Sequence, residues 1–88
     1  PIAVGLLCSL EDSRSIVEKL FPYAGYVEYR TPGIDLAIEL ENTRKKQNIS
    51  GDLQIYFLEN HGLIVSAESA EIAISETELI TRTCEEYL

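Results

Sequence analysis

The sequence has few of the features that mark secreted or membrane proteins. Its two cysteines, Cys8 and Cys84, are far apart, with neither metal-binding spacing nor the density of a disulfide-rich secreted domain. We predict that both are reduced, half-buried small hydrophobic residues of a cytoplasmic protein. No apolar run approaches the ~20 residues needed to span a bilayer, and no cleavable signal is visible. The sequence therefore predicts neither a disulfide scaffold nor a membrane protein.

Basic residues are also scarce. The 88 residues include 7 Lys and Arg against 15 Asp and Glu, for a formal net charge of -8. Nucleic acid binding needs a concentrated basic surface, so this composition argues against it. The basic cluster at residues 44–46 is interpreted as the last turn of a helix, where the helix dipole favours cations. With 45% hydrophobic and 25% charged residues, the chain is ordinary globular sequence, one domain or part of one.

The single histidine lies between two predicted strands. Residues 53–67 contain two apolar runs rich in β-branched and aromatic residues, separated by a polar turn at residues 59–62. Gly62 can take the positive φ that such a turn requires, so the imidazole of His61 is expected to project from a strand end. A lone histidine here is either a hydrogen-bonded structural residue or a metal ligand or proton-transfer group. A catalytic zinc normally takes three protein ligands, and this chain offers His61 no partner at ligand spacing.

Apolar spacing and capping residues predict four helices. Residues 1–8 are nearly continuous apolar sequence, which fits either a buried helix or a buried strand, and Pro1 at a first helical position favours the helix. The second helix begins at a cap at Ser9 and ends before Pro22. Thr31 and Pro32 are expected to begin a third helix, which runs to about residue 46. The fourth is expected to begin at Ser69 and to end at about residue 87. The third helix is predicted to bury Ile34, Ala37, Ile38 and Leu40, and the fourth to bury a stripe of Ala73, Ile80, Cys84 and Tyr87.

Short strands are predicted at residues 26–29, 53–58 and 63–66. Interleaved with the helices, they predict an α/β layered unit with an incomplete central sheet. So small a sheet leaves strand edges unpaired. We therefore expect residues 1–88 to need the rest of a domain, or partner subunits, to cover the sheet.

Two stretches resemble the class II aldolase/adducin family. The Asn-His-Gly sequence at residues 60–62, followed by Leu-Ile-Val and a small residue at Ala67, is similar to the last metal-binding segment of that family. Upstream, residues 29–37 contain Tyr-x-x-Pro-Gly-x-x-Leu-Ala, which is similar to the family sequence ahead of the helix leading into that segment. Ile34 stands where the family usually has Thr, and Ala67 where it usually has Gly. Within the family, the chain resembles the fuculose and rhamnulose phosphate aldolases.

The resemblance implies a three-layer αβα domain of which residues 1–88 are the C-terminal portion. In the family, a segment like the first helix directly follows a His-x-His pair that supplies two of three metal ligands. That pair is therefore expected immediately upstream of Pro1, with His61 as the third ligand of zinc or another divalent metal. The family's acid/base Glu and its phosphate-binding residues are also expected upstream of Pro1.

The chemistry that the resemblance implies is a reversible retro-aldol cleavage of a ketose phosphate through a metal-stabilised enediolate. Tyr29 is a candidate substrate-binding residue, because the family places aromatic residues near the substrate in this region. Glu59 either orients the imidazole of His61 or is a water-exposed turn carboxylate. Family members of this kind are commonly tetramers, so a homotetramer is expected.

Three alternatives remain open. Sugar-phosphate epimerases and dehydratases share the ligand set and the fold. Adducin-like members keep the fold for binding or assembly without catalysis, although retention of His61 favours a metal-binding member. Apart from the resemblance, the chain also fits a small acidic α/β interaction domain in which His61 stabilises a turn.

Overall fold

The computed structural model describes residues 2–28 and 35–88. These residues form helices and strands in the order α1 (Ile2–Ser9), α2 (Ser13–Leu20), β1 (Gly25–Val27), α3 (Leu36–Lys46), β2 (Gln54–Leu58), β3 (Gly62–Ser66) and α4 (Ala70–Tyr87). The predicted four helices and central hairpin are confirmed. Among the helices described, none combines the length and hydrophobicity that crossing a membrane requires.

The three described strands form one mixed sheet in the order β1-β2-β3. Strand β1 pairs with β2 in parallel, with Tyr26 opposite Phe57. Strand β2 pairs with β3 antiparallel, with Tyr56 opposite Ile64. Parallel strands need a crossover connection, which here contains α3, whereas the antiparallel pair needs only a short turn. The predicted α/β character is confirmed.

One face of the sheet packs against α1, α2 and α4. Side chains alternate between the faces of a strand, and Tyr26, Ile55 and Phe57 lie on this face. The ring of Phe57 is fully buried and stacks on Phe21 with 4.9 Å between ring centroids. Burying a side chain of this size stabilises a fold by ~1.5–3 kcal/mol. The rest of this cluster is Val4, Leu7, Cys8, Ile16, Val17, Ile80 and Cys84.

The opposite face of the sheet packs against residues of α3. Val27, Tyr56 and Leu58 are buried there together with Ile49. Three partly buried residues complete the contact: Leu36, Leu40 and Ile64.

The start and the buried face of the third helix differ from the prediction. Asp35 is the N-cap of α3, and its carboxylate accepts hydrogen bonds from the backbone N–H groups of Ala37 and Ile38. Leu36 and Leu40, four residues apart on one side of the helix, face the sheet, whereas Ala37 and Ile38 are exposed, Ile38 by 57%. The predicted burial of Ala37 and Ile38 is therefore wrong. The predicted start at residues 31–32 and Ile34 lie outside the described residues.

The second helix also begins later than predicted. Ser9 is the last residue of α1, and its hydroxyl donates a hydrogen bond to the carbonyl of Leu6 at 2.7 Å. Because Ser9 belongs to the preceding helix, it cannot cap α2, which begins at Ser13. The predicted end of α2 before Pro22 is confirmed, since Phe21 is its C-cap.

The predicted start of the fourth helix is confirmed. The hydroxyl of Ser69 accepts a hydrogen bond from the N–H of Ile72 at 3.3 Å, as an N-cap does. The predicted stripe is correct for Ile80 and Cys84, which are fully buried, but Tyr87 is 45% exposed at the end of the helix. Both cysteines are free thiols as predicted, although they are fully buried rather than half-buried.

Candidate functional site

His61 lies in the turn that joins β2 to β3, at the end of the strand pair where Leu58 opposes Gly62. The φ angle is +140° at Gly62 and +61° at Asn60. Glycine and asparagine tolerate this half of backbone space better than other residues do. The predicted positive φ at Gly62 is confirmed. His61 is exposed, so its ring projects from the strand end as expected.

Two backbone hydrogen bonds tie this turn to neighbouring elements. The N–H of Glu59 donates to the carbonyl of Val27, at the end of β1, at 2.9 Å. The N–H of Asn60 donates to the carbonyl of Cys8, in the last turn of α1, at 3.0 Å. The position of the turn is therefore set by a helix and a strand outside the hairpin.

A local hydrogen bond orients the imidazole. Nδ1 of His61 lies 2.9 Å from the backbone carbonyl oxygen of Glu59. A carbonyl only accepts, so Nδ1 carries a proton, and the neutral ring then has its lone pair on Nε2. Histidines that bind metals commonly have this arrangement, in which a hydrogen bond at one nitrogen fixes the tautomer and orients the other. The group of Glu59 that orients the ring here is its backbone carbonyl.

The described residues supply one suitable metal donor at this turn. Across residues 2–28 and 35–88, no three His, Cys, Asp or Glu side chains are close enough together to hold a metal ion. The imidazole of His61 suits such a role because its ring is exposed and its tautomer places the ligand lone pair on Nε2. A complete set of ligands would need donors from beyond the described residues.

Tyr29, the predicted substrate-binding residue, lies outside the described residues. The nearby Tyr26 belongs to the core. Its hydroxyl is hydrogen-bonded to the hydroxyl of Ser13, and the guanidinium of Arg14 lies 5.7 Å from the centroid of its ring. Burial raises the pKa of Tyr26, so its phenol is neutral at physiological pH.

The basic cluster lies in the last turn of α3, as predicted. Nε of Arg44 donates to a carboxylate oxygen of Glu41 at 3.0 Å, one turn earlier in the same helix. This hydrogen bond lowers the pKa of Glu41. Arg44 is thus an ion-paired residue at the end of a helix.

Two residues that shape the turn were not among the predicted site residues. Asn60 could have been found, because asparagine is common at turn positions with positive φ. The second residue is Cys8, whose Sγ also lies 3.7 Å from the carbonyl oxygen of Gly62, 54 residues away in the chain. No local pattern could indicate a contact over that distance.

Comparison with known families supports the relationship that the turn suggests. The family model described as class II aldolase and adducin N-terminal domain matches residues 4–88, which include all three described strands and the His61 turn. Comparisons with curated proteins and with solved structures found no match. Because the family match covers nearly the whole chain, the protein belongs to the class II aldolase and adducin family.

Proposed function

We propose that this chain is the C-terminal part of a class II, metal-dependent aldolase domain that cleaves a ketose phosphate by a reversible retro-aldol reaction. In this proposal, His61 is a ligand of zinc or another divalent metal. The observation that supports it most is the hydrogen bond from Nδ1 of His61 to the Glu59 carbonyl, which directs the ligand lone pair to Nε2 on an exposed ring. Membership of the family supports the same function.

The proposed chemistry needs a metal ligand that is held in a fixed position. When bound, the divalent metal would polarise the substrate carbonyl and stabilise the negative charge that develops as the carbon-carbon bond breaks. The contribution of this chain is to hold the imidazole in place. The Glu59 carbonyl keeps Nδ1 protonated and makes the ring a better donor. The bonds from the turn to β1 and α1 keep the ring in position before the metal binds, so little reorganisation is needed.

The rest of the site is proposed to lie in the same protein, upstream of Pro1. That part would supply a His-x-His pair, the acid/base Glu and the phosphate-binding residues. We further propose that the complete domain has three αβα layers, which is supported by the packing of described helices on both faces of the sheet. Tyr29 is proposed to contact the substrate, and the complete protein is proposed to be a homotetramer.

Metal analysis of the protein that contains this chain tests the ligand assignment. The parent protein, a His61→Ala variant and a control Glu68→Ala variant are dialysed against zinc and then against buffer. Glu68 is an exposed residue beyond β3, so its replacement should leave the turn unchanged. We expect the parent and the control to retain zinc, and His61→Ala to bind it at least ~10-fold more weakly. Equal zinc in the parent and in His61→Ala would show that the ligand assignment is wrong.

Product analysis then tests the reaction. With ketose phosphates as substrates, carbon-carbon cleavage by the parent and its loss in His61→Ala are expected. Zinc binding with epimerised or dehydrated products instead would identify an epimerase or dehydratase of the same family. A parent protein that binds no zinc and cleaves nothing would identify a noncatalytic, adducin-like member.

A further inference from the structure

The end of α1 contacts the His61 turn at two points through a single residue. The carbonyl of Cys8 accepts the N–H of Asn60 at 3.0 Å, and its Sγ lies 3.7 Å from the carbonyl oxygen of Gly62. Asn60 and Gly62 are the residues immediately before and after His61. The two contacts therefore lie on either side of the histidine.

The thiol of Cys8 is suited to donate the second of these hydrogen bonds. Burial, with a smaller effect of the nearby Cys84, raises the pKa of Cys8 to about 11. The sulfur is therefore protonated at physiological pH, and its hydrogen can point to the Gly62 carbonyl. A thiol is a weak donor, so this bond adjusts the geometry of the turn rather than holding it alone.

Asn60 and Gly62, on either side of His61, have positive φ. Asparagine and glycine tolerate this conformation but do not require it, so contacts from outside the turn help to select it. Cys8 supplies those contacts from a fully buried position in the main core, so the turn is attached to a rigid part of the fold.

We propose that Cys8 is a positioning residue for the metal ligand: its carbonyl and its thiol hold the two sides of the turn and thereby orient the imidazole of His61. The proposal rests on the proposed function of His61. If Cys8 has this role, removing another core cysteine that is equally buried should leave the His61 turn unaffected. Cys84 provides that comparison, because it is equally buried in the same cluster and, among the described residues, its thiol makes no hydrogen bond to the turn.

The test compares Cys8→Ala, Cys8→Ser and Cys84→Ala in the protein that contains this chain. Amide hydrogen exchange at residues 59–62 is measured first, without metal. We expect exchange to be about threefold faster in Cys8→Ala, because one weak tether is lost. Cys8→Ser keeps a donor and is expected to stay near the parent rate. Cys84→Ala is expected to show the parent exchange rate at these amides, even though it also loses a buried side chain from the core.

Zinc affinity is measured next on the same proteins. A similar, roughly threefold loss is expected in Cys8→Ala alone, because a looser turn must be ordered when the metal binds. The proposal is overturned if Cys8→Ala and Cys84→Ala change exchange at residues 59–62 equally, since the effect would then be general loss of core packing. It is also overturned if Cys8→Ser behaves like Cys8→Ala, or if Cys8→Ala leaves the exchange unchanged.

A spectroscopic measurement keeps the proposal testable if Cys8→Ala does not fold. The S–H Raman band that is present in Cys84→Ala and absent when Cys8→Ser is added belongs to Cys8, and it should fall at the lower frequency typical of a hydrogen-bonded thiol. A band at the frequency of a thiol without a hydrogen bond would overturn the proposal. Neither this band nor the exchange rates require metal, so they decide whether Cys8 holds the turn even if His61→Ala shows that the proposed function is wrong.

Discussion

Replacing Gly62 with alanine should show how much the backbone conformation beside His61 matters. A Cβ added at Gly62 would meet no described atom within 4 Å, so the methyl group has room. The φ angle of +140° is one that residues with a side chain rarely adopt. Holding alanine there costs about 1–3 kcal/mol, and this cost is conformational rather than steric.

Gly51 offers a matched control. Its φ is +92°, a Cβ added there would also meet no described atom within 4 Å, and it lies before β2, at the end away from the His61 turn. We expect Gly62→Ala and Gly51→Ala each to lower the free energy of unfolding by about 1–3 kcal/mol in urea denaturation. In isothermal titration calorimetry, only Gly62→Ala should bind Zn²⁺ more weakly, by ~10-fold, because relaxing the strain at residue 62 shifts the adjacent His61 and its imidazole.

Urea denaturation tests whether a side chain strains the backbone at residue 62, and zinc titration tests whether that backbone orients His61. If Gly62→Ala is as stable as the parent, the backbone at this residue is not strained by a side chain. If the two variants lose zinc affinity to the same extent, the conformation at Gly62 does not orient His61. A loss of affinity in Gly51→Ala alone would also show that the conformation at Gly62 does not orient His61.

Three further predictions concern the fold. Phe57→Ala should lower the free energy of unfolding by ~3–5 kcal/mol in urea, whereas Tyr23→Ala, at a 54% exposed residue, should cost under ~1 kcal/mol; similar costs would contradict the assigned core. Ser69→Ala should cost ~1 kcal/mol through loss of the α4 cap and Ser69→Asp should cost less, so equal losses would argue against capping. The pKa of Cys8 is raised to about 11 in the folded protein. The contribution of its protonated thiol to the free energy of unfolding is therefore complete below about pH 9. This contribution is lost as the pH rises towards 11, because the thiol ionises first in the unfolded state. The free energy of unfolding measured in urea should therefore fall more between pH 8 and pH 10 in the parent than in Cys8→Ala.

Much of the local structure was predictable because it is encoded within a few residues. Ser69 caps α4 by bonding an N–H three residues later, and the turn residues at 59–62 lie between two runs of strand-forming residues. Positive φ at Gly62 follows from glycine itself. The family resemblance also depends on short segments such as the Asn-His-Gly turn, and the family match confirms it.

One error came from competing local signals at a helix start, and another from packing between elements. Ser9 could serve either as the last residue of α1 or as the cap of α2, and in the structure its hydroxyl bonds back to Leu6. In α3, packing against the sheet decided which apolar residues are covered. Leu36 and Leu40, four residues apart on one side of the helix, are partly buried, whereas Ile38 is exposed.

The sequence alone determined that a histidine stands in a tight turn between two strands, since that depends on neighbouring residues. Only the tertiary structure decided what holds the turn. The carbonyl that orients the imidazole belongs to Glu59, which could be guessed, but the support from Val27 and Cys8 comes from distant parts of the chain. Those contacts exist because β1 lies parallel to β2 and α1 packs against the sheet, and such long-range packing leaves no local pattern in the sequence.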